Sequence, residues 1–145
     1  MREDRPSPTV EGIGDDVLLH EAFDHSTITA LRHAVASCAA GAGLAADRLD
    51  DFVVAVNELL TNAVRHGGGR GRLTLLHVAD RVVCEVSDDG PGLPAPLGEP
   101  RRPSSDQPGG WGLWLAEELT DTFDLVTGAG GTTVRVSRRT TLREP

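Results

Sequence analysis

The strongest constraint on this chain is an apolar stripe in its middle third. Leu49, Phe52, Val53, Val56, Leu59, Leu60 and Ala63 recur at the spacing of one helix face for more than four turns. Asp47, Asp50 and Asp51 fall in the first turn of this pattern, where negative charge suits the helix dipole, and Gly67-Gly68-Gly69 ends it. So wide an apolar face must be covered by another layer. The flanking sequence supplies one. A first strand is expected over 17–23, and a first helix over 25–40, with Ile28, Leu31, Val35 and Cys38 at helical spacing and Ser26 or Asp24 as its cap. After a break at 41–43 and the striped helix, β-rich runs at 73–78 and 82–87 form a hairpin through Ala79-Asp80-Arg81. A short helix over 112–120 precedes strands at 122–127 and 132–137. The expected fold is an α/β (α+β) two-layer sandwich, with a mixed, mostly antiparallel sheet covered by helices on one face.

The 145 residues suffice for one such domain, expected over 16–139, between a polar arm at 1–15 and a short tail at 140–145. Residues 90–110 carry six prolines and five glycines, so a lid is expected at about 91–110. A net charge of −8, 3% aromatic residues and no Tyr argue against direct nucleic-acid binding. No apolar run approaches the roughly 18–20 residues of a membrane span, and the N-terminus has no signal-like core, so a cytoplasmic protein without membrane contact is expected. All fourteen basic residues are Arg, which points to GC-rich bacterial coding. Cys38 and Cys84 lack ligand spacing and are expected to be buried small hydrophobes.

Several short segments carry chemistry. Glu58 and Asn62 are four residues apart on one helix face, roughly opposite the stripe centred on Val56, and face either solvent or a site. Asp88-Asp89-Gly90-Pro91-Gly92 follows a strand end, where a fixed carboxylate can accept a hydrogen bond from an exocyclic amine; alone, it is equally a turn. Gly109-Gly110-Trp111-Gly112-Leu113 opens a helix, whose bare N–H groups make either an anion cradle or a hinge. Gly130-Gly131-Thr132-Thr133 reads as a hairpin turn before the last strand.

In this order and spacing the four segments resemble the boxes of the GHKL ATPase superfamily, which has the Bergerat nucleotide-binding fold found in DNA gyrase, histidine kinases and MutL. The resemblance spans about 17–138. Within the superfamily, the segments 56–67 and 131–134 look most like the anti-sigma-factor serine/threonine kinases and their single-domain relatives. The resemblance implies ATP and Mg2+ as cofactors. It makes Glu58 the general base, Asn62 the Mg2+ ligand and Asp88 the partner of the adenine amine, with Thr132 in support. Gly90 and Gly92 would pass close to the nucleotide, and Gly110, Gly112 and the Leu113 amide would hold its phosphates. Arg65 and His66 would stand near the phosphates, and Arg101 and Arg102 in the lid. The chain departs from that pattern in Gly67-Gly68-Gly69, where an aromatic residue often follows, and in a Pro-rich lid without Lys. The implied function is an anti-sigma-type kinase that phosphorylates a serine or threonine of a STAS-type antagonist while controlling a sigma subunit, and the resemblance also implies a homodimer. The alternative is a nucleotide-sensing, protein-binding module without phosphate transfer.

Overall fold

The computed structural model describes residues 16–93 and 111–140. They form β1 (Asp16–Asp24), α1 (Ile28–Gly41), α2 (Ala46–His66), β2 (Arg70–Val78), β3 (Arg81–Asp88), α3 (Trp111–Glu118), β4 (Thr122–Gly128) and β5 (Gly131–Arg139). The expected arm at 1–15, the expected lid beyond Leu93 with Arg101, Arg102 and Gly110, and the tail from 141 lie outside the described residues.

The strands lie in the order β1-β2-β3-β5-β4, and every pairing is antiparallel, where a mixed sheet was expected. The reason is that β5 turns back between β3 and β4, so these two strands, which run the same way, never pair. Strand alternation then sorts the side chains into rows. Leu19, Leu75, Cys84, Val136 and Phe123 lie side by side across all five strands, and Leu73, Val86, Val134 and Leu125 belong to the next row. One step further the apolar rows end in a polar one, formed by Asp88, Thr132 and Thr127. This row shares the face that carries the helices.

All three helices cover that face. Phe52, Ala55, Val56, Leu59, Leu60 and Ala63 of α2 are buried, as the stripe requires, and join Leu31, Val35 and Ala39 of α1 and Leu113 and Ala116 of α3 in one core. Phe52 is fully buried and contributes about 2–3 kcal/mol of apolar burial. Cys84 lies in this core, where burial pushes its thiol well above the usual range, and Cys38 is half-buried beside it. Both cysteines are free.

Several boundaries differ from those expected. Helix α1 begins at Ile28, because the Asp24 carboxylate accepts hydrogen bonds from the Ser26 N–H (2.9 Å) and Ser26 Oγ (2.7 Å) and holds 25–27 as a turn. Thr27, not Ser26 or Asp24, takes the cap position. Only Asp47 stands in the first turn of α2, while Asp51 lies one turn on and pairs with Arg138 at 3.0 Å. The β2–β3 turn has two residues, Ala79 and Asp80, since Arg81 already pairs with Val78. Among the described residues, no helix is long and apolar enough to cross a membrane.

Candidate functional site

Asp88 is the last residue of β3 and is only 8% exposed. Register places it on the helix-covered face, one row beyond Val86 and next to Thr132. Its Oδ1 accepts hydrogen bonds from the Gly90 N–H at 2.9 Å and the Thr132 N–H at 3.3 Å. Thr132 is buried and shares a 2.7 Å hydroxyl contact with Thr127, whose Oγ1 accepts a 2.8 Å bond from the Leu93 N–H. The carboxylate is therefore fixed from two sides, by the turn after β3 and by β5.

Glycines allow these segments to meet. A Cβ on Gly67, just past the end of α2, would strike the Asp88 carboxylate, and one on Gly90 would come within 2.6 Å of the Gly67 backbone. Gly92 (φ +90°) lies against the Gly128 carbonyl and Gly131 (φ +135°) against the Asp88 carbonyl, both in backbone conformations that other residues resist. Next door, Arg72 donates to both oxygens of Asp89 at 3.1 and 3.2 Å, and this pairing holds the exposed Asp89 carboxyl below its ordinary range.

Glu58, Asn62 and His66 follow one another along α2 at one-turn intervals. All three are half-buried, neither in the core stripe nor open to solvent. The cause is α3, which packs beside α2. A Cβ on Gly112 would come within 2.6 Å of Glu58 Oε1. Leu113 turns its side chain into the core. At the far end of α2, burial and the neighbouring Arg65 lower the His66 pKa.

The match to a known family decides what this arrangement is. Residues 22–138 match the family described as "Histidine kinase-like ATPase domain". The chain belongs to this family of GHKL-type ATPase domains. No curated protein matches it. Among solved structures, the ATPase domain is similar to the RsbU and RsbW domains of Rv1364c from Mycobacterium tuberculosis, with a TM-score of 0.63 and 26% identity over 83% of this chain. It also has the fold of the histidine kinase domain from the Erythrobacter litoralis EL346 blue-light activated histidine kinase (TM-score 0.54, 18% identity, 75% of this chain). The ATPase domain spans 31% of the first structure's chain and 60% of the second's.

Of the residues singled out in the sequence, the ATPase domain brings Asp88, Gly90, Gly92 and Thr132 into one cluster. Glu58 and Gly112 make a second, about nine residues back along α2 from Gly67. Asn62 and His66 lie between the two along the helix, and Gly110 is outside the described residues. Sequence reasoning passed over Gly67, Thr127 and Gly128. The sequence marks Gly67 as the end of α2 and as a departure from the family pattern, and no local signal marks its contact with Asp88, which β3 brings to it from 21 residues downstream. Thr127 could have been found by counting the hairpin register back from Thr132.

Proposed function

We propose that this ATPase domain binds ATP·Mg2+ and transfers phosphate to a serine or threonine of a regulatory partner protein, in the manner of the anti-sigma-factor kinases its motifs resemble. The observation that carries the reading is the disposition of two carboxylates about one helix. Asp88 abuts Gly67, at the C-terminal end of α2, and Glu58 lies nine residues earlier, roughly 13 Å along the axis. That span suits an extended nucleoside triphosphate, with its base at one end and its phosphates at the other.

The donor set fits such a ligand. Asp88 Oδ1 takes two backbone N–H groups, and its Oδ2 lies against Gly67, so backbone groups fix the carboxylate, which suits an exocyclic amine. Asn62 would offer an amide oxygen to Mg2+, a hard cation that takes oxygen ligands. When bound, ATP supplies the phosphoryl group and Mg2+ offsets its charge. Glu58 takes the proton of the attacking hydroxyl, and the N-terminal turn of α3 presents backbone N–H groups to anionic oxygen. The partners in this reading are a STAS-type antagonist as substrate and a sigma subunit as the protein controlled, and the domain works as a homodimer in the cytoplasm. The likeness to a structure containing an RsbW domain supports it.

The test uses radiolabelled ATP and candidate antagonist proteins encoded beside this one. Wild type labels one of them, whereas Glu58→Ala loses transfer by about 100-fold or more yet captures the partner. If wild type and Glu58→Ala bind ATP and partner alike and neither transfers label, the domain is a nucleotide-sensing binding module.

A further inference from the structure

Gly112 has no conformational reason to be glycine. It lies inside α3 in helical backbone that any residue adopts, and glycine there weakens a helix relative to alanine. Nor does backbone outside its own helix crowd it among the described residues. The three nearest heavy atoms to a Cβ at this position all belong to the Glu58 side chain: Oε1 at 2.6 Å, Cδ at 3.6 Å and Cβ at 3.7 Å. The last two are ordinary contacts. Only the carboxylate oxygen collides.

We propose that Gly112 is a positioning residue for Glu58: its bare Cα leaves the space in which the carboxylate lies across the first turn of α3, and so fixes where the base points. This rests on the reading of Glu58 as general base, and it gives Gly112 a different task from the phosphate contact implied by resemblance. A methyl group at 112 would push aside the free end of a flexible side chain and leave the packing of α3 intact. Glu58 hangs from α2 and Gly112 belongs to α3, so the carboxylate's position depends on the fit of the two helices. Buried Leu113 and Ala116 hold α3 in that fit.

The substitution Gly112→Ala separates the two tasks. The variant should fold and melt no lower than wild type, because alanine is the better helix former. In nucleotide-free protein carrying 13C-labelled glutamate, the Glu58 carboxyl signal is assigned by its disappearance in Glu58→Gln. It should shift in Gly112→Ala while the signals of other glutamates stay. ATP·Mg2+ affinity, measured by calorimetry, should stay within about twofold, and turnover of ATP should fall tenfold or more. Glu58→Asp shortens the side chain by one methylene and removes the collision, so adding Gly112→Ala to Glu58→Asp should cost less than twofold in turnover. The inference is overturned if the Glu58 signal does not move, or if Gly112→Ala weakens ATP binding tenfold in both backgrounds, which would mean that the bare Cα serves the phosphates. A Glu58 signal that moves in a protein with no turnover at all would uphold the positioning contact and reject the general-base reading.

Discussion

At His66 two opposing influences meet. A helix C-terminus favours a cation, but burial, aided by the charge of Arg65, holds the imidazole pKa below its ordinary value of 6.5. The folded protein therefore binds this proton more weakly than the unfolded chain does. Stability rises with pH wherever the unfolded state holds more protons, so the contribution of His66 falls as pH drops below about 6.5 and levels off below the folded pKa. Urea unfolding at pH 7.5 and 5.5 measures this, and His66→Gln should lose less stability on acidification than wild type. The neighbouring Gly67 shows how a residue one position further on was misjudged. Three consecutive glycines at a helix end announce a stop, and they do end α2. What they do not announce is that the first of them leaves room for a carboxylate arriving from β3. That constraint exists only in three dimensions.

Among the elements, α2 was the most legible because its burial is one-sided and long. Every buried position in it repeats the helical period, from Phe52 to Ala63. The hairpins were legible from β-branched runs and short turns, but the insertion of β5 between β3 and β4 was not, since nothing local records which edge a hairpin joins. The start of α2 is held in place by charges that periodicity could not reveal. Asp121, in the turn between α3 and β4, accepts the Arg139 N–H at 2.7 Å and lies within 3.4 Å of Arg48 and 3.5 Å of Arg138. Arg48 also donates to the Arg139 carbonyl at 2.8 Å, and Arg138 reaches Asp51. One carboxylate thus joins α2, the α3–β4 turn and the end of β5. Asp121→Ala leaves several guanidinium groups without it and should cost roughly 2–3 kcal/mol. Asp51→Ala removes one half-exposed pair and should cost about 1 kcal/mol or less. Urea midpoints give the ranking, and equal losses would mean that Asp121 does not link the three elements.

The whole molecule couples its stability to its ligand, because the proposed base and phosphate contacts draw on both helices and on the sheet. A ligand that binds only the folded state at about 100 times its Kd stabilises it by roughly 2.7 kcal/mol. For a chain of this size that raises the Tm by about 5–10 °C. Thermal unfolding with ATP·Mg2+ should show this shift in wild type and lose it in Asp88→Asn. Asparagine keeps the shape of the side chain and can still accept the Gly90 and Thr132 N–H groups through one oxygen. Its other atom becomes an NH2 donor, which meets the exocyclic amine of adenine donor to donor. GTP adds a control that a general loss of folding cannot imitate. Guanine presents a carbonyl where adenine carries its amine, so the Asp88 carboxylate should reject it and wild type should show little or no shift with GTP. In Asp88→Asn the new donor faces that carbonyl, and any nucleotide response that survives should move from ATP toward GTP. Equal shifts with ATP and GTP in wild type would remove Asp88 from base recognition, whatever the asparagine variant did.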